Sequence, residues 1–106
     1  MKRKDKIKVI YPNGKIEHVD PIPDVGRANE QLHNIIKPRK MLDFVDIGGG
    51  LLMAMDDEFL LGGSEFNKTA TDIFNEARRI ICGNGYSNQN ICGVVCIIKA
   101  TTEDEC

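Results

Sequence analysis

The feature that most constrains the fold is the segment Pro12-Asn13-Gly14, which separates two short stretches of alternating apolar and polar residues. Asparagine and glycine tolerate the positive φ that a tight hairpin turn requires. The flanking stretches, 6–11 and 15–19, show the two-residue period of half-buried strands. The sequence therefore predicts an antiparallel hairpin, and with it an antiparallel sheet.

The rest of the chain supplies two predicted helices and four further strands. Residues 68–81 carry apolar side chains at spacings of three and four, and Asn67 is a good N-cap for that helix. A second helix is predicted over 25–36, with Asp24 as its cap, and Pro38 prevents its continuation. The order ββαβββαβ predicts an α+β domain with a mostly antiparallel sheet and both helices packed on one face. The four further strands are predicted over 42–47, 51–55, 58–61 and 94–100.

Length and charge limit the classes of protein to which the chain can belong. Its 106 residues predict one domain, 1–106, with a flexible basic N-terminus over 1–5 and a flexible acidic C-terminus over 101–106. Nucleic-acid binding is not expected, because no aromatic residue is interleaved with the N-terminal lysines as a stacking platform requires. The sequence contains neither a secretory signal nor an apolar run of the roughly 20 residues that span a membrane. We therefore expect a cytoplasmic protein.

No motif in the sequence predicts catalysis. The triple glycine at 48–50 is followed by strand residues rather than by a lysine and a helix, so we interpret it as a turn and not as a phosphate loop. The cysteines lack zinc-site spacing, and Cys92 and Cys96 are interpreted as small buried hydrophobic residues. His18 and His33 stand alone in the sequence. We expect no metal and no cofactor.

Two segments are candidate ligand sites. The glycines before the helix start at Asn67 offer backbone N–H groups to a phosphate or carboxylate, and Lys68 adds a positive charge. The loop 83–90 supplies uncharged donors and acceptors and the ring of Tyr86, although such a loop can also be a turn that satisfies only itself. The predicted ligand-binding residues are Ser64, Asn67, Lys68, Asn84, Tyr86, Asn88 and Asn90.

The order of features resembles a family of small uncharacterised proteins from bacteriophages and conjugative plasmids. The likeness covers about residues 5–100 and begins with the paired N-terminal strands and the helix that leads into an apolar strand. The residues that carry it are Leu51 to Met55, Asp56-Asp57-Glu58, Leu60-Leu61-Gly62, Asn67 with Ala70-Thr71, and Ile91-Cys92-Gly93-Val94-Val95. The resemblance implies a small accessory protein that acts by binding.

The sequence thus predicts a non-enzymatic binding protein of a phage or mobile element that antagonises host defence. Its expected partner is a nucleotide-like signal that it sequesters, or a host defence protein on which it docks through a sheet edge or the loop 83–90. Assembly as a homo-oligomer is left open. Two alternatives also remain open: a small cysteine- and histidine-dependent enzyme, and a structural or regulatory dimer with no small ligand.

Overall fold

The computed structural model describes residues 6–21, 28–38, 41–57 and 65–99, which contain five strands and two helices. All five strands join one sheet in the order β2-β1-β5-β4-β3, and every neighbouring pair is antiparallel. The predicted α+β class and antiparallel sheet are therefore confirmed. The elements are β1 (Ile7–Ile10), β2 (Ile16–Val19), α1 (Ala28–Ile36), β3 (Leu42–Asp46), β4 (Leu51–Asp56), α2 (Lys68–Cys82) and β5 (Val95–Lys99).

Some predicted elements fall outside the described residues. These are the strand over 58–61, the Asp24 cap with the first turn of its helix, and both chain ends, 1–5 and 101–106. Every other predicted strand and helix is present, with boundaries that differ by one or two residues where both ends are described.

Both predicted turns are present. At the first, the Gly14 N–H donates to the Tyr11 carbonyl oxygen over 2.9 Å, and Gly14 has a φ of 94°. At the second, between β3 and β4, the glycines 48–50 have φ values of 85°, 66° and 77°. Residues that carry a Cβ atom are strained at such angles, and glycine is not. This explains the run of glycine at the turn.

The two helices cover opposite faces of the sheet. Met53 and Met55 of β4 belong to a buried cluster with Phe74 of α2, whereas Ala54, between them, packs in a second cluster with Leu32 of α1. Successive side chains of a strand point to opposite faces. The prediction that both helices pack on one face is therefore wrong. The nearly continuous apolar run in β4 is itself typical of a strand buried on both faces.

We call the side of the sheet that carries Ile10, Met53 and Val95 the α2 face, because these side chains pack against α2. Two other apolar side chains on this face stay partly open to solvent: Ile16 is 41% exposed and Leu51 is 38% exposed. The helix therefore leaves part of the α2 face uncovered. No helix in the described parts of the chain is long and apolar enough to cross a membrane.

Candidate functional site

An open groove of about 500 Å³ lies on the sheet where α2 leaves it uncovered. Its volume is within the range of small-molecule sites, roughly 300 to 1,000 Å³. We call it the cationic groove, because basic side chains predominate among its polar residues. Its lining residues are Lys6, Lys8, His18, Gly49, Leu51, Ile97, Ile98 and Lys99.

The strand register places the central groove residues side by side. Lys8 of β1 pairs with His18 of β2 on one side and with Ile97 of β5 on the other. Leu51 of β4 pairs with Lys99 of β5 in the same way. Directly paired residues have Cβ atoms about 5 Å apart and point to the same face. The sheet therefore presents basic and aliphatic side chains together on a rigid surface.

The charge in the groove is opposite in sign to that of the whole chain. The net charge of the protein is −2, yet none of the described residues that line the groove carries a carboxylate. The Lys6 Nζ lies 2.9 Å from Asp20 Oδ1 at the edge of the groove, so Asp20 compensates part of the positive charge of Lys6. Clustered charge of one sign raises the local concentration of oppositely charged ligands. The groove therefore favours anions.

The floor of the groove is aliphatic. Leu51 and Ile97 lie between the lysines on the α2 face, and the turn residue Gly49 borders them. A ligand that covers Leu51 would remove apolar surface from water, which contributes about 25 cal/mol for each Å² buried. The arrangement therefore fits a ligand that combines a negative charge with an apolar or flat body.

Asn67, a predicted ligand-binding residue, has a structural role. It is fully buried, and its Oδ1 accepts from the Ala70 N–H over 3.0 Å as the N-cap of α2. Its Nδ2 donates to the carbonyl oxygens of Ile10 and Gly93 over 3.0 and 2.8 Å. The side chain therefore ties the start of α2 to the end of β1 and to the segment before β5, and these bonds engage both polar groups of its amide.

The loop 83–90 is hydrogen-bonded along the side of α2. The Tyr86 hydroxyl donates to Asn75 Oδ1 over 2.8 Å, and Arg79 Nη2 donates to Asn88 Oδ1 over 2.9 Å. Burial raises the pKa of Tyr86 above its usual value, so its hydroxyl stays protonated as the donor. This part of the loop is therefore bonded to α2. Both interpretations of the loop, a recognition site and a turn that satisfies only itself, stay predictions.

The predicted site residues are spread along α2 rather than gathered at one point. The 15 residues of α2 span about 22 Å at 1.5 Å per residue; Asn84 follows its last turn, whereas Asn90 lies beside its first. Lys68 Nζ is 2.7 Å from Asp72 Oδ2. Ser64 lies outside the described residues. A ligand-binding role for these seven residues stays a prediction.

Sequence reasoning missed the groove residues because Lys6 and Lys8 fall in the predicted strand 6–11, on the side away from Ile7 and Val9. Lys8 alternates with Ile7 and Val9, which reads as the ordinary polar side of a half-buried strand. One signal was present: a hairpin centred on Asn13 places Lys8 directly opposite His18, as the register shows. The contribution of β5 depends on long-range pairing, which no local pattern reveals.

The histidines and the central cysteine are in different environments. His18 and His33 are exposed, whereas Cys96 is fully buried on the α1 side of the sheet. Burial raises the pKa of the Cys96 thiol to about 12, and a neutral thiol is a poor nucleophile. The described residues contain no group of three or more side chains that could hold a metal ion.

No family model matches this chain, and neither does any curated protein or solved structure.

Proposed function

We propose that this protein is a binding protein that sequesters a small, nucleotide-like anion in the cationic groove. The observation that supports this proposal is the segregation of charge: the lining combines three lysines and a histidine over an aliphatic floor in a chain with a net negative charge. Phosphate-bearing ligands gain most from such a surface, because they carry charge at one end and a less polar body at the other.

The biological role in this proposal is antagonism of host defence by a protein of a phage or mobile element. It rests on the resemblance of the chain to that family and on the binding chemistry of the groove. In the cytoplasm of a bacterial host, a protein with this groove would lower the free concentration of a nucleotide signal without chemically changing it. A binder of this kind acts stoichiometrically, so it must be abundant relative to its ligand.

Isothermal titration calorimetry against cyclic nucleotides and ADP-ribose derivatives tests the proposal. We expect at least one member of the panel to bind, with an affinity that falls as salt is added, since exposed charges are screened. Lys8→Gln is expected to weaken binding by at least about tenfold, a change of 1.4 kcal/mol. Lys15→Gln, which removes an exposed lysine outside the groove lining, is the matched control and should bind as the wild type does. Absence of binding across the whole panel would contradict the proposal.

A structural dimer with no small ligand is the second candidate, and one observation favours it. Ile80 and Ile81, near the end of α2, are 77% and 46% exposed. Two adjacent isoleucines in water are typical of a contact surface, here for a second copy of the chain. Sedimentation equilibrium at micromolar concentration tests this candidate: a dimer that Ile80→Asn dissociates supports it, and a monomeric wild type contradicts it.

A further inference from the structure

The cations of the groove are lysines, and the chemistry of lysine affects what it can recognise. An ammonium group is a compact point charge on a flexible stem, whereas the planar guanidinium of arginine matches a carboxylate or base edge with two fixed bonds. The described groove lining contains Lys6, Lys8 and Lys99 and no arginine. The lysine ammonium groups can therefore contact a phosphate group in several positions, and they do not fix the orientation of the rest of the ligand.

The remainder of the lining offers little that reads a nucleobase. Recognition of a base edge requires placed donors and acceptors, such as amides, hydroxyls or backbone groups, and often an aromatic ring for stacking. Among the side chains of the described lining, only the imidazole of His18 can accept a hydrogen bond. Leu51 provides apolar contact without direction, and Ile97 is largely buried. A base lying on Leu51 keeps its polar edge in water.

Several side chains that would suit base reading lie elsewhere and are already bonded. Asn75 holds the Tyr86 hydroxyl, and Asn88 accepts from Arg79, all along α2 and outside the groove lining. Asn67 is buried beneath the start of the same helix. The structure thus separates its amide chemistry from its cationic chemistry.

We infer that the groove recognises the phosphate group and the less polar body of its ligand and does not distinguish one nucleobase from another. This inference rests on the proposed function and defines the ligand class as a phosphate ester whose organic part is apolar or flat. The lysines bind the phosphate, and the aliphatic floor contacts the organic part. No step of this recognition depends on the pattern of donors and acceptors of a base.

The test is a set of titrations of the wild-type protein with AMP, GMP, CMP, UMP, adenosine, hexyl phosphate and inorganic phosphate. We expect the four nucleotides to bind within about threefold of one another, since apolar contacts discriminate weakly between similar ligands. Hexyl phosphate should also bind. Adenosine should give no signal, because it has no phosphate for the lysines to contact. A preference of more than roughly tenfold for one base would overturn the inference, because that requires a set of directed hydrogen bonds, and His18 is the one side-chain acceptor in the described lining. Binding of adenosine as tight as that of AMP would overturn it too.

Two groove variants separate the parts of the site. Leu51→Ser is expected to weaken the binding of hexyl phosphate more than that of inorganic phosphate. Lys8→Gln should weaken the binding of both ligands. Equal losses for both ligands in Leu51→Ser would contradict the role of the floor. Failure of every phosphate ester to bind the wild type would remove the proposed function and the inference together. Binding with strong base preference would remove the inference alone.

Discussion

The cationic groove and the region 67–90, which holds α2 with its cap and the loop 83–90 and is here called the α2–loop region, both carry many polar side chains. The two differ in what those side chains contact. Along α2, Asn67, Asn75 and Tyr86 bond to neighbouring protein groups, and no buried side-chain polar atom among the described residues lacks a partner. In the groove, Lys8 and His18 stand beside each other on an open surface. The side chains named in the first region are bonded to the protein itself, whereas the second places basic side chains together at an open surface.

This difference shows that residue type alone is a poor guide to a binding site. Asparagine and tyrosine are common in ligand sites, yet here they fix a loop to a helix. Because a buried amide that loses its partners costs free energy, such groups are selected for stability as often as for recognition. Basic side chains placed side by side, such as Lys8 and His18, favour a negatively charged partner.

The largest expected effect comes from breaking the α2–loop region at Asn67. Asn67→Ala removes the helix cap and leaves the carbonyl oxygens of Ile10 and Gly93 without this donor, so we expect a loss of about 3 kcal/mol in the free energy of unfolding. Urea denaturation measures it. Lys68→Ala, one residue further on and exposed, is the control and should cost about 0.5 kcal/mol or less. A change at Asn67 as small as that at Lys68 would contradict the structural role.

The sequence predicts this part of the molecule well because its signals are local. The cap at Asn67 and the apolar spacing over 68–81 identify α2 to within a residue, and the asparagine–glycine turn identifies the first hairpin. The groove could not be predicted, because its lining comes from strands distant in sequence. The faces of the helices also depend on tertiary packing: the apolar run in β4 matches burial on both sides, but it does not say which helix covers which side.

The second largest effect concerns Cys96, which is fully buried on the face of the sheet that α1 covers. Burial raises the pKa of its thiol from 9.0 to about 12, so the folded protein keeps a proton that the unfolded chain releases between these values. The contribution of this thiol to the free energy of unfolding is therefore complete below pH 9. It falls by about 1.4 kcal/mol for each pH unit as the pH rises towards 12. At pH 10.5 the loss is therefore about 2 kcal/mol.

Unfolding free energies measured from pH 8 to pH 11 check this expectation. Cys96→Ala should show a shallower alkaline decline than the wild type, although it is less stable at neutral pH because it leaves a cavity. The exposed Cys82 is the matched control, and Cys82→Ala should keep the wild-type slope. If the unfolding free energies of Cys96→Ala and the wild type fell in parallel with pH, the Cys96 thiol would not be the cause of the alkaline decline.

A smaller effect is expected at Tyr86, a residue that the sequence assigns to ligand binding and whose hydroxyl is bonded to α2 in the structure. Tyr86→Phe removes the hydroxyl that donates to Asn75 Oδ1, while Gln89 still donates to the same oxygen, so we expect a loss of about 1 kcal/mol. Chemical denaturation measures it, and the exposed Asn84→Ala provides the control. Ligand affinity should not change. If Tyr86→Phe abolished binding and left stability intact, the ligand would bind at the loop 83–90, as the sequence predicts.

The smallest effect on stability is expected in the groove itself. Lys8→Gln keeps a long polar side chain on β1 and removes one of several neighbouring positive charges, so the free energy of unfolding should change by less than about 0.5 kcal/mol. The same substitution is expected to reduce ligand affinity at least tenfold, a larger change in free energy than it causes in folding. Denaturation and calorimetry on one preparation compare the two quantities. A variant that lost stability and affinity in equal measure would place Lys8 with Asn67, among the residues that hold the fold together.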